Sequence, residues 1–185
     1  MKRSSALVGA VAILVLSTAS RGSAGELELA MGAAAAGSDW RGDAAGYGSL
    51  RFGFRAWDLL SGYFLGRFGY GAVDQRLLTC LSVGVQVTGR LGRVRPYLRA
   101  GFLHQHEEPS VAFQQNPWGA IFGVGDGIRH RAGVEGAAGI EIPVYRKAKW
   151  ELYASVEATT QWFANTSGPS WYVGGGAAFG FHYGL

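Results

Sequence analysis

Apolar and polar side chains alternate with a period of two along most of this chain. In residues 49–56, SLRFGFRA, Leu50, Phe52, Phe54 and Ala56 share one face, and Ser49, Arg51, Gly53 and Arg55 share the other. That period belongs to a β-strand, whose successive side chains point to opposite sides. Residues 79–90 set Leu81, Val83, Val85 and Val87 against Ser82, Gly84, Gln86 and Thr88. Residues 150–162 set Trp150, Leu152, Val156 and Trp162 against Glu151, Tyr153, Glu157 and Gln161, and residues 171–185 set Trp171, Val173, Phe179 and Phe181 against Gly174, Gly176, Gly180 and His182. Four less regular segments, 26–36, 62–70, 97–104 and 131–142, complete a prediction of eight strands; Leu103 breaks the alternation in the third of these. Helical periodicity is absent, so the fold class is all-β.

Alternation alone also suits a soluble sandwich, which buries its apolar face. Two features favour the reverse, a barrel with its apolar face outward. The polar faces carry Arg51, Arg55, Arg67, Arg99, Glu135, Glu141, Glu151 and Glu157 interspersed with glycines, a mixture that can fill a narrow polar interior. The arginines come from strands 2, 3 and 5 and the glutamates from strands 1, 6 and 7, a division that suits ion pairs across a lumen. If the last hairpin turns at 166–167, Trp162 faces Trp171 and Trp150 faces Tyr183, all on the apolar face. The two pairs are then about 40 Å apart along a strand, or roughly 30 Å along the normal at the usual tilt, which is the spacing of two interfacial girdles. Connections alternate as well. Short turns are expected near 58–61, 91–95 and 143–148, and longer loops at 38–45, 71–76, 105–129 and 165–169.

The first residues, MKRSSALVGAVAILVLSTASRGSA, read differently. Lys2 and Arg3 precede an apolar run of about 11 residues, too short for a spanning helix, and small residues follow. Residues 1–24 are therefore expected to be a cleaved secretory signal peptide, leaving 25–185 as one barrel domain. Its removal takes away Lys2, Arg3 and Arg21 and lowers the net charge from +4 to +1, so the basic balance implies no nucleic-acid partner. Cys80 is the single cysteine, so no disulfide framework holds the exported chain.

With this pattern the mature chain resembles the small eight-stranded outer-membrane barrels, the OmpA/OmpX-like group. Its end, AFGFHYGL, resembles the terminal signal read by the outer-membrane insertion machinery: Gly180 occupies the glycine position, Tyr183 the penultimate aromatic one and Leu185 the last. The chain departs from that pattern at Leu185, where Phe or Trp is usual, and at Ala178, where a polar residue is usual. The segment PYLRAGF, 96–102, is similar to a strand opening common in such barrels. The resemblance implies a monomeric, up-and-down transmembrane barrel with a filled lumen and loop-borne function.

Candidate chemistry centres on GFLHQHEEP, 101–109. His104 and His106 leave the fifth strand and His130 enters the sixth. A register pairing His104 with His130 gathers three imidazoles at the rim with Glu107 and Glu108 nearby; His104, His106, His130 and Glu107 would then suit Zn²⁺. The bland alternative is a polar rim facing lipopolysaccharide phosphates. Lipid-A deacylases among such barrels pair a His with a Ser two residues away, where this chain has His106, and no activated nucleophile stands out. No enzyme activity and no cofactor are expected. His182 is expected inside, opposite Glu151. The third outer loop, 105–129, carries Phe113, Trp118, Ile121, Phe122 and Val124, which suggests folding over the barrel mouth or binding a partner.

The sequence thus predicts a bacterial outer-membrane barrel with a non-conducting lumen closed by Arg/Glu pairs and a structural or surface-contact role. Its expected partners are outer-membrane lipid and lipopolysaccharide, the insertion machinery, and a protein at loop 105–129. The alternatives are a narrow channel for small solutes, a subunit of an envelope-spanning complex, and a metal-binding or lipid-modifying rim site.

Overall fold

The computed structural model describes residues 25–57, 59–73, 75–164 and 167–185. The predicted leader, 1–24, lies outside the described residues, and so does Thr166 of the last predicted turn. Eight antiparallel strands close into a barrel in chain order. They are β1 (Glu26–Ser38), β2 (Ala44–Arg55), β3 (Leu60–Gly71), β4 (Arg76–Thr88), β5 (Arg95–Pro109), β6 (Arg129–Lys147), β7 (Trp150–Phe163) and β8 (Trp171–Gly184). β8 returns to pair with β1 along Glu26–Ser38, so neither strand is left as an edge. The β5–β6 connection holds two short helices, α1 (Ser110–Gln115) and α2 (Pro117–Ile121). Pro117 starts α2, and the Asn116 side chain accepts a hydrogen bond from the Gly119 amide at 3.0 Å.

The alternation is inverted relative to a soluble protein. Phe52, Phe54, Phe64, Val83, Val85, Leu98, Phe102 and Phe179 are exposed on the outer wall, while Arg51, Arg67, Arg99, Glu135 and Glu141 are buried within. On the outward face Trp150 pairs with Tyr183 and Trp162 with Trp171, the predicted register. These pairs flank the apolar band at its two ends.

Several strands run further than alternation indicated. β2 starts at Ala44, β5 reaches Pro109 and β6 reaches Lys147, so HQHEEP is strand and not loop. Main-chain pairing needs no particular side-chain order, and it continues beyond the apolar band. The predicted turn at 143–148 shrinks to Ala148 and Lys149, with Ala148 in the left-handed region at φ 50°. Pro143, which has no N–H to give the ladder, sits at a register shift between Pro143 and Tyr145.

The β5–β6 register also differs from expectation. His106, not His104, lies opposite His130; Phe102 meets Val134 and Leu98 meets Ala138. The slip is two residues, so every side chain keeps its predicted face.

A second pattern fills the lumen. Four inward tyrosines each lie opposite a glycine on the next strand: Tyr47 and Gly69, Tyr63 and Gly84, Tyr97 and Gly139, Tyr153 and Gly180. A Cβ at Gly139 would sit 2.6 Å from the Tyr97 ring, and one at Gly180 would sit 2.5 Å from that of Tyr153. The missing side chain is the slot that lets each ring lie flat along the wall.

Candidate functional site

The lumen is built in layers. At the short-turn end, Arg55 bonds Glu26 at 3.0 Å, Arg95 approaches Glu141 at 3.2 Å and also pairs with Glu151, and Arg146 pairs with Glu151. The expected His182–Glu151 pair is not formed, although the two residues face each other across β7 and β8. Glu151 is taken by the two arginines. His182 instead lies 3.6 Å from the Glu141 carboxylate and stacks on Tyr153 at 4.6 Å between ring centroids.

Further in, Arg51 bonds Glu28 at 2.6 Å and Arg99 bonds Glu157 at 2.8 Å. Glu135 is the hub. It accepts from Arg67, from the Tyr63 hydroxyl at 2.9 Å and from Ser82 at 3.0 Å. The hydroxyls of Tyr97 and Tyr153 likewise donate to Glu157 and Glu28. Such pairing is what holds charges in a narrow interior, where one unmatched member would be costly. The remaining space among Arg51, Arg67, Arg99, Glu157 and their small neighbours is about 30 Å³, room for a water or two.

Above this network the lumen turns apolar, a continuous plug that the polar interior expected from sequence did not include. Tyr47, Leu78, Cys80, Leu103, Phe163 and Tyr172 pack into a buried cluster. Leu103, the residue that broke the alternation, points inward as part of this plug. Over it, Arg131 lies 4.1 Å from the Phe163 ring and bonds Glu107 at 2.7 Å; Arg129 reaches the same carboxylate at 2.6 Å. Sequence reasoning counted the strand 1 glutamates, Glu28 among them, but missed Arg95 and Arg131 as network members. Their signal was available, since each occupies a polar phase position of its strand.

The outer wall carries a different grouping. His104 and His106, two residues apart on β5, and His130, opposite His106 on β6, all project outward. Ring centroids are 4.7 Å (His104–His106), 4.8 Å (His106–His130) and 5.6 Å (His104–His130) apart. One ligand atom from each lies within 4.8 Å of the others. Glu107 does not join them. As an odd-phase residue of β5 it points into the lumen, fully buried against Arg131, Arg129 and Gln105. The residue sharing the histidine face is Glu108, buried with both carboxylate oxygens unpartnered.

Of the two roles expected of the long loop, folding over the mouth or binding a partner, the first is not what its described contacts show. The segment 110–128 lies back against the outer wall. Phe113 of α1 packs on outward-facing Phe68 at 6.1 Å, and Gly123 sits so close to His106 that a Cβ there would meet the ring at 2.5 Å. His106 lies four residues beyond the row of Trp162, Val134 and Phe102, outside the apolar band. Burial under this segment, together with the imidazoles of His104 and His130, holds its pKa below the ordinary histidine value.

A closed eight-stranded up-and-down barrel, apolar without and charged within, is the fold of the small outer-membrane barrels of the OmpA/OmpX-like kind. The chain shares this fold with Neisserial surface protein A, at a TM-score of 0.59 and 13% identity over 90% of this chain and 100% of that one. It shares it also with the attachment invasion locus protein of Yersinia pestis, at 0.50 and 10% over 88% and 100%. No protein-family model and no curated protein sequence matches the chain.

Proposed function

We propose that the protein is a non-conducting barrel of the bacterial outer membrane, with a structural and surface-contact role rather than an enzymatic one. The observation that carries this reading is the inverted wall around a sealed lumen. Phenylalanine, valine and leucine face outward between two aromatic levels, and a charge network and an apolar plug occupy the inside in series. Removal of the leader would be followed by insertion through the terminal signal, with Gly180, Tyr183 and Leu185 in its key positions.

The contact surface is the segment 110–128. Because it doubles back on the wall, its apolar edge faces sideways: Trp118 is 72% exposed and Phe122 71%. Aromatic side chains at this level suit the headgroup boundary of the outer leaflet. Fractionation and planar-bilayer recording test the reading together. Co-sedimentation with outer membrane and electrically silent bilayers are expected. A soluble protein, or a large steady conductance, would overturn it.

A further inference from the structure

We propose that His104, His106 and His130 form a binding site for one divalent transition-metal ion of the zinc class, on the outward wall where β5 and β6 leave the membrane. The geometry of the wall carries this. Two histidines at i and i+2 stand on the same face of one strand, and the third stands directly opposite the second on its neighbour. That triangle is fixed by main-chain pairing rather than by flexible loops.

Tetrahedral zinc with Zn–N of about 2.0–2.1 Å wants nitrogens about 3.3 Å apart. His130 Nδ1 and His104 Nε2 already approach to 3.5 Å. The three ligand atoms span at most 4.8 Å, so closing the widest separation by about 1.5 Å through ring rotation gathers the third. Imidazole sets of this kind suit Zn²⁺, Cu²⁺ and Ni²⁺.

A second observation points to a ligand. His106 is 7% exposed, and its Nδ1 has no hydrogen-bond partner. A buried ring nitrogen left unsatisfied is uncommon, and an ion between the rings would satisfy it. The rest of the surroundings agree. The nearby cations of β6, Arg129 and Arg131, are bonded to Glu107. Gly123 packs against the His106 ring. Gly123 has φ +72°, a conformation that favours glycine, and its absent side chain leaves room for the imidazole. His104 and His130 are exposed, so the fourth coordination position opens outward to water or an exchangeable donor. A polar rim without metal would account for the two exposed histidines. It leaves the buried Nδ1 of His106 without a partner.

The test uses the tag-free mature chain, folded in detergent and stripped with a chelator. Zinc is titrated calorimetrically and counted by metal analysis, and Co²⁺ is added separately to read coordination from its visible spectrum. One zinc per chain and the intense bands of four-coordinate cobalt are expected. His104→Ala and His130→Ala change exposed side chains, so both should fold, as judged by circular dichroism. Each should lose the cobalt bands and weaken zinc binding about 100-fold or more. Zinc bound well below one per chain, or binding unchanged in the His104→Ala/His130→Ala double variant, would overturn the proposal.

Discussion

Gly139 and Tyr97 show how single residues shape this lumen. The ring occupies the space a side chain at Gly139 would need, and its hydroxyl donates to Glu157 at 2.6 Å. Gly139→Ala should therefore displace the ring or the backbone and cost about 1–3 kcal/mol, the usual penalty for overpacking. Gly46, on the outer face of β2, has open space where a Cβ would go. Gly46→Ala should change stability by less than about 0.5 kcal/mol. Urea unfolding in lipid vesicles distinguishes them; equal midpoints for the two variants would remove the tyrosine–glycine slot as a stabilising device. The glycine content was plain in the sequence, yet its purpose was not. Cross-strand neighbours depend on register, and alternation within one strand carries no information about its partner.

β7 shows what an element as a whole can report. Val156 stands outward, six residues from Trp150 and six from Trp162. That places it midway between the two aromatic levels. Val156→Arg should cost about 2–4 kcal/mol in a bilayer, the value for arginine at the midplane of a barrel wall. A near-zero cost in the same urea assay would mean that these levels do not mark the interfaces. The segment 110–128 makes a second prediction at this scale. A spin label at Phe122→Cys, with native Cys80 buried, should be relaxed more strongly by dissolved oxygen than by a water-soluble chromium chelate. The opposite ranking would place the segment's edge in water rather than against lipid.

For the whole molecule, two layers occupy the lumen in series, a charge network and an apolar plug. Arg99 is buried between Glu157 and Glu135, and the apolar plug above it does not depend on its charge. Arg99→Ala should destabilise the barrel by about 3–5 kcal/mol, because it leaves a buried carboxylate short of its partner. It should still leave bilayers silent. A steady pore in Arg99→Ala would show that the charge network alone closes the lumen. Closure of the wall is likewise a property of the whole, since β1 finds β8 across the entire length of the chain.

By itself the sequence determined the strand count, the two-faced wall and the placement of Arg51, Arg67, Arg99, Glu135 and Glu157 inside. All of these follow from a period of two, a local property set by backbone pleat. It also determined the pairing of Trp150 with Tyr183 and of Trp162 with Trp171, because a single hairpin turn fixes that register. Tertiary structure alone decided what depends on neighbours that no local turn fixes. The β5–β6 register, with a long connection between its strands, came out two residues from expectation, which put His130 opposite His106. Glu107 is turned from the histidines by alternation within β5 alone, whereas the same closure brought Arg95 to Glu151 and laid 110–128 on the wall. In those last two cases the choice of partner rests on which side chains a closed barrel brings within bonding distance. That is a sum over eight strands, and no one of them carries it.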